Sequence, residues 1–492
     1  MRKNLKTIVC IIGSGFCGYA AYTKLKDEIS DLLVIEGGNI ETPQNAEEQK
    51  NYRTIKNKYL SNKINNKIQN GLEPSFGHRK YTLGGSSECW AGYIKPFEES
   101  TYKNEFVNIK GQNWDNINLR NYYDEVSNLL KSPITDFEPE NIESKLKFKL
   151  PELTNGLKYT TYAWALDTLR LKYFWKKYLI KNKNYNSKNK KLICGYRLHD
   201  FNILDEKIRS LSFKNQINDE LIVEADYFIF SMGGIENAKF VNNLFKKTNV
   251  SSFKNEKLGN FQEHPHLRVI ANFNRGENPL PKIITERIRV SKKMHNSFKD
   301  GRLKIAISAW DGLGTPKATF MIRPNYKNFL KSFRDNLFKY GSNKNPYQYD
   351  YTVDIACEQT PNIKSNLNFN SNTTYLNWNI QESDFEYYSK YLRRFTSFLI
   401  LNKFAKDFSL TEESIQNKAT ISFVGGGGHH MGTVPYTTDK SLIDEKFKLS
   451  LFQNTYVVGT SSFPTSGFEN PTHAAMTTAL LAAEDIISRY YK

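Results

Sequence analysis

The chain has 492 residues, 39% of them hydrophobic and 14% aromatic, which suits a globular protein of two or more domains and excludes a disordered one. Lysine and arginine number 69 against 51 acidic residues, a net charge of +18. Lysine far outnumbers arginine and is scattered along the chain, so the charge reads as a bias toward Lys, Asn and Ile; no nucleic-acid motif accompanies it and no nucleic-acid partner is expected.

In chain order, Thr7 to Ile12 is a continuous apolar run, the pattern of a strand buried on both faces. Gly13, Gly15 and Gly18 follow in the GxGxxG spacing, with Phe16 inside it. These glycines give a tight turn, a close approach to a pyrophosphate and close helix packing. The helix expected over Tyr19–Lys26 would turn its N–H groups and positive dipole end toward the phosphates. Leu32–Ile35 reads as the second strand, and Glu36 closes it about where an acid meets a ribose hydroxyl. Met1-Arg2-Lys3 before an apolar run mimics a secretion signal, but the run leads directly into the glycine motif, so an uncleaved chain is expected. The five cysteines, Cys10, Cys17, Cys89, Cys194 and Cys357, are dispersed without metal-ligand spacing. A reduced, cytoplasmic setting, no metal and no transmembrane segment are the expectations.

Further along, Tyr81-Thr82-Leu83 is strand-like and leads into the small-residue loop Gly84-Gly85-Ser86-Ser87. Asn118–Leu130 reads as a helix and Lys181–Lys191 as a polar loop. Tyr227–Phe230 is another buried strand; Met232-Gly233-Gly234 turns it into a helix that Glu236 and Asn237 begin. His264-Pro265-His266 supplies two ligand-type side chains without a third, which suits a domain junction better than zinc. Leu303–Trp310 and Tyr351–Cys357 read as strands, and Glu358-Gln359-x-Pro361-Asn362 as a turn after the second. Gly425–Gly428 precede His429-His430-Met431-Gly432-Thr433, and Phe468-Glu469-Asn470-Pro471-Thr472 leads into a last helix through Ala483.

Taken together, these blocks resemble the glucose–methanol–choline (GMC) oxidoreductases, and more closely the branch with pyranose oxidase and bacterial sugar and cyclitol dehydrogenases. The blocks are Gly13–Gly18 with Glu36; Leu83–Ser87 with Trp90-Ala91-Gly92; Gly233–Ala238; Glu263–His266; Glu358–Asn362; and the two C-terminal stretches. Residues 101–189 carry no such block. The resemblance implies an α/β chain with a Rossmann-like FAD-binding domain built from discontinuous segments, 1–100, 190–262 and 421–492. It also implies an α+β substrate-binding domain with a mostly antiparallel sheet, covering 101–189 and 263–420. Cofactor contacts are implied at Gly13, Gly15, Phe16, Gly18, Glu36, Gly84, Gly85, Ser86, Ser87, Cys89, Trp90, Ala91, Gly233, Gly459, Pro471 and Thr472. Relatives of the pyranose oxidase type can carry a flavin-linked histidine where this chain has Cys89. Non-covalent FAD is therefore expected, with a link at Cys89 as the alternative.

Oxidising an alcohol removes a hydroxyl proton and a hydride. The flavin N5 takes the hydride, and a near-neutral base, for which histidine is suited, takes the proton. The family's base lies four residues before the threonine of Gly-Thr, which is His429; its partner, the residue before Pro471, is Asn470. Neighbours on an extended segment point to opposite faces, so His430 could face the site instead; His429 is preferred on motif alignment, and His430 is assigned to substrate binding with Gly427 and Gly428. Asn470 before Pro471 also reads as a helix N-cap. The expected substrate is a small alcohol, sugar, cyclitol or other polyol, with Trp90, Tyr93 and Trp310 as candidate sugar faces. Oxygen, a quinone or an electron-transfer protein are open as acceptors. The competing readings are a flavin-binding protein of this fold with non-redox chemistry, an NAD-dependent dehydrogenase, and a basic nucleic-acid binder.

Overall fold

The computed structural model describes residues 2–40, 52–54, 80–98, 119–165, 169–184, 190–248, 260–310, 316–324, 349–369, 374–410, 424–435 and 442–492. The first sheet is built on the N-terminal apolar run. Strand β1 (Arg2–Ile12) has Val9 to Ile12 buried, and it lies between β2 (Leu32–Glu36) and β8 (Glu220–Phe230), parallel to both. Strand β5 (Lys190–Cys194) extends the parallel set beyond β2, and β18 (Thr455–Val457) adds to it beside β8. Strands β7 (Lys207–Lys214) and β6 (Arg197–Leu204) continue it in antiparallel fashion. Burial on both faces explains why the central strands read as unbroken apolar runs.

The first helix, Phe16–Leu25, begins at the glycine motif rather than at Tyr19. A Cβ on Gly18 would lie 2.0 Å from the Gly13 carbonyl oxygen, so the helix packs this close to the turn only because that residue has no side chain. The C-terminal helix, Thr472–Tyr490, packs beside it, and the Cys17 thiol donates to the Ala475 carbonyl between them at 3.3 Å.

The second sheet is antiparallel throughout. Its order is β10 (Ile288–Val290), β11 (Gly301–Trp310), β12 (Pro316–Pro324), β13 (Tyr351–Cys357), β9 (Pro265–Arg275) and β16 (Ala405–Leu410). Strand β4 (Leu157–Ala165) also pairs with β11, and β17 (Val424–Gly426) with β9. A small sheet joins β3 (Tyr52–Thr54) to β14 (Asn366–Phe369) and β15 (Thr374–Asn377). The long helix Glu382–Leu401 stacks Phe395 on Phe320 of β12 at 4.1 Å between ring centroids. The architecture is the expected α/β class, a nucleotide-type sheet beside a mostly antiparallel one.

Several local expectations differ from what forms. Lys181–Lys191 is not one loop: Lys181–Asn184 end the helix Leu171–Asn184, Lys190 and Lys191 pair with Leu32 and Leu33, and 185–189 lie outside the described residues. Pairing at the sheet edge outweighs polar composition there. The helix expected from Asn118 is a 3-10 turn, Leu119–Tyr122, followed by the helix Tyr123–Leu129; Asn118 lies outside the described residues. Gly85–Cys89 is a 3-10 helix rather than an open loop. Val424–Gly426 belongs to the antiparallel sheet, although the sequence reading groups 421–492 with the nucleotide domain.

Gly18→Ala is expected to push the first helix off the turn. Thermal melting of the purified variant should give a clearly lower Tm than wild type; an unchanged Tm would mean that the close approach does not matter.

Candidate active site

One cavity of about 760 Å³ runs from the glycine motif to the C-terminal histidines. That is within the roughly 300–1,000 Å³ typical of ligand sites. At one end it is walled by Gly13, Ser14, Gly15 and Phe16, with Glu36 beside them. Ser14 organises this end. Its N–H and hydroxyl both donate to Glu36 Oε2, at 2.9 and 2.6 Å, and its hydroxyl oxygen accepts from Gly84 N–H at 2.8 Å. Gly38 N–H donates to the other Glu36 oxygen at 2.7 Å, and Trp175 Nε1 donates to the Ser14 carbonyl at 2.8 Å. Burial pushes the Glu36 carboxyl up, against these hydrogen bonds, which favour its charged form.

The middle of the cavity is lined by Gly85, Ser86, Cys89, Trp90 and Ala91 on one loop, and by Gly233, Gly459, Pro471 and Thr472 from three others. Arg170 holds the first loop by donating to the Ser87 and Trp90 carbonyls at 2.6 and 2.7 Å. Gly18, Gly84 and Ser87 are not on the wall. Gly18 packs the helix, Gly84 bonds Ser14, and the Ser87 hydroxyl accepts from Leu171 N–H at 3.0 Å. All three stand behind the residues that line the cavity. Cys89 is half-buried, its thiol donates to the Ser86 carbonyl at 3.4 Å, and burial pushes its pKa up, so it is not an activated thiolate.

The far end gathers His264, His266, His429, His430 and Asn470 with Gly426, Gly427 and Gly428. His429 Nδ1 lies 3.0 Å from His264 Nδ1, and its backbone N–H donates to Glu263 Oε1 at 2.6 Å. His264 Nε2 lies 3.1 Å from the Ser466 carbonyl oxygen. His430 is buried with its Nε2 3.7 Å from Glu263 Oε2. Asn470 does not cap the last helix: that helix has Pro471 at its N-cap and no side-chain capping bond. Among the described residues Asn470 makes no side-chain hydrogen bond, so its amide is left to face the cavity. Tyr93, Tyr162, Met321 and the ion pair of Arg323 with Asp354 complete this end. Trp310 is not on the wall; Lys158 lies over its ring instead.

Glu263 and His264 are the residues that sequence reasoning missed. They read as a domain junction, and they are one, but their side chains also build the site. The signal was in the Glu-His-Pro-His block, whose partners lie some hundred and sixty residues on and leave no local pattern. Asn237 likewise does more than begin a helix. It accepts from Met232 N–H and donates to the Val458 carbonyl and Ser461 hydroxyl. Among the described residues no group of three or more His, Cys, Asp or Glu side chains is placed to hold a metal ion, and no helix is long and apolar enough to cross a membrane.

The cavity fits a bound dinucleotide. The first helix has no side-chain cap, so its N-terminal N–H groups are open to an anion, and no atom lies within 4 Å of where a Gly15 Cβ would stand. The Trp90 indole N–H is buried without a partner among the described residues, a donor suited to an acceptor on the bound group.

Residues 365–479 match the family model described as GMC oxidoreductase. No curated protein sequence matches the chain. Among solved structures, pyridoxine 4-oxidase from Mesorbium loti is similar at 15% identity and TM-score 0.59, covering 99% of both chains. A formate oxidase is similar at 15% identity and TM-score 0.62, again over 99% of both chains. So is a substituted formate oxidase of Aspergillus oryzae RIB40, studied for FAD modification, at the same identity, coverage and TM-score. Residues 365–479 thus carry the match to the GMC oxidoreductase family, and the full length of the chain carries the fold of these oxidases.

Burial pushes the Glu263 carboxyl up to about 8, against the backbone N–H groups that favour its charge. The folded chain thus holds this proton more tightly than the unfolded chain. Between the ordinary carboxyl value and about 8 the folded state binds more protons, so stability falls as pH rises through that window. Glu263→Gln keeps the uncharged form at every pH. Its Tm should fall less than that of wild type between pH 5 and pH 8 in matched melts; parallel curves would mean that Glu263 is ionised across the window.

Proposed function

We propose, with the GMC fold as premise, that this protein oxidises the CH–OH group of a sugar, cyclitol or other polyol with His429 as the base. The observation that carries the reading is the sharing of one cavity wall by His429 and Asn470 with Gly15 and Glu36, residues from opposite ends of the chain. Bound FAD supplies the acceptor for the electron pair leaving carbon. Gly13, Gly15, Phe16 and Glu36 would hold its dinucleotide part, and Gly85, Ser86, Trp90, Ala91, Gly233, Gly459, Pro471 and Thr472 its remainder.

The chain's own residues then have separate tasks. His429 Nδ1 is engaged with His264, and Nε2 is the nitrogen assigned to the substrate hydroxyl. The O–H bond breaks and the proton passes to Nε2. Asn470 donates its amide N–H to the same oxygen and steadies the negative charge that develops there. His430, Gly427 and Gly428 border the substrate. Tyr93 and Tyr162 offer ring faces, and the Arg323–Asp354 pair offers donors and acceptors with no net charge, which suits a neutral polyhydroxyl compound. The similar structures named for pyridoxine and for formate mark how far substrates vary on this fold.

This reading divides the chain into FAD-binding segments 1–100, 190–262 and 421–492 and substrate-side segments 101–189 and 263–420, with Val424–Gly426 on the substrate side through its pairing with β9. A cytoplasmic location is part of the proposal. It is supported by five cysteines that are all free thiols.

Anaerobic mixing of the FAD-loaded protein with a panel of D-glucose, myo-inositol, glycerol and simple alcohols should bleach the oxidised-flavin absorbance with at least one of them. His429→Ala should slow that bleaching by about 10²–10⁴-fold. Asn470→Ala should slow it less, and His430→Ala should mainly raise the substrate concentration needed. Bleaching by His429→Ala at the wild-type rate would refute the assignment. Denaturation should release FAD from the protein; flavin that stays with the chain, and is released from Cys89→Ser, would support a covalent link at Cys89.

A further inference from the structure

The two histidines that meet at 3.0 Å do so through like atoms, Nδ1 to Nδ1. Two bare ring nitrogens repel, and two N–H groups repel, so one must carry a proton and the other must not. Which one does is decided a step away. The Ser466 carbonyl oxygen can only accept, so His264 Nε2, 3.1 Å from it, carries the proton there. That carbonyl is itself fixed in place, because Ser466 N–H donates to Gln262 Oε1 at 2.7 Å and its hydroxyl shares hydrogen bonds with Gln359. Burial pushes the His264 pKa down, so its ring is neutral and holds one proton only. His264 Nδ1 is therefore a bare acceptor.

We propose that His264 is a positioning residue that holds His429 in the tautomer with its proton on Nδ1 and its lone pair on Nε2. A neutral imidazole free in water exchanges between two tautomers, and only the one with a bare Nε2 can take a proton from a substrate on the cavity side. The chain Ser466 carbonyl, His264, His429 selects that form before any substrate arrives. When His429 accepts the hydroxyl proton on Nε2, its Nδ1–H remains bonded to His264, now as a charge-assisted donor. His264 itself neither gains nor loses a proton. The inference rests on the reading of His429 as the base.

The test is a long-range ¹H–¹⁵N spectrum of the FAD-loaded protein labelled at histidine nitrogen, with the His429 signals assigned by their loss in His429→Gln. Wild type at neutral pH should show a protonated Nδ1 and a bare Nε2 for His429. His264→Phe removes the acceptor and should bring in the Nε2-protonated form. It should slow flavin bleaching by the fastest compound of the panel by roughly 10–100-fold, the range seen when a metal-bound imidazole loses its hydrogen-bond partner, with FAD content unchanged. His264→Asn, whose Oδ1 stands near the position of Nδ1, should restore both the tautomer and most of the rate. An Nε2-protonated His429 in wild type overturns the proposal, and that spectrum needs no variant to fold. His264→Phe with unchanged tautomer and rate overturns it as well. If no panel compound bleaches the flavin while wild type shows the Nδ1–H form, the proposed function fails and the positioning stands.

Discussion

Gln262, Glu263 and His264 form a buried polar seam on which the histidine end of the cavity depends. Gln262 exchanges backbone hydrogen bonds with Met431, both at 3.0 Å, while its side chain donates to the Pro464 carbonyl and accepts from Ser466 N–H. Glu263 Oε1 takes the His429 and His264 N–H groups, and Glu263 N–H donates to Gln359. His264 spans Ser466 and His429. Polar groups buried this deeply are costly unless each finds a partner. The seam therefore admits few arrangements of the segments beside it. It sets the His429 segment and the Asn470 segment at fixed positions relative to β9, which begins at Pro265.

A second polar hub does the same work at the nucleotide end. Ser14 ties the glycine turn to Glu36 and to Gly84, so the turn, the acidic strand end and the start of the Trp90 loop are joined through one side chain. The two hubs lie at opposite ends of the same cavity. Glycines at Gly85, Gly233 and Gly459 bring backbone to the wall beside larger side chains such as Trp90.

Much of the nucleotide half was legible because its signals are local. The run Thr7–Ile12, the glycines after it and Glu36 all lie within one short stretch, and each has a direct steric or hydrogen-bonding reason. The roles proposed for His429 and Asn470 come from resemblance alone, since nothing in their neighbours marks one histidine of a pair or an asparagine before proline. The capping reading of Asn470 was reasonable for an Asn-Pro step, yet the helix takes its start at Pro471 and leaves the amide free. Glu263 and His264 stayed hidden because their function is made by contacts with Gln359, His429 and Ser466. Such contacts follow from tertiary packing and carry no periodicity. Which residues of the Gly84–Ser87 loop line the cavity is set by the same kind of packing: the sequence marks a tight loop but not which of its sides faces inward.

The proposed chemistry requires a flavin in this cavity with its reactive face toward His429. A crystal structure of the protein loaded with FAD tests that directly. The pyrophosphate is expected at the N-terminus of Phe16–Leu25, the ribose beside Glu36, and the ring system between the Trp90–Ala91 loop and the His429–Asn470 end. A ring lying elsewhere, with His429 and Asn470 out of reach of a substrate placed on it, would contradict that chemistry.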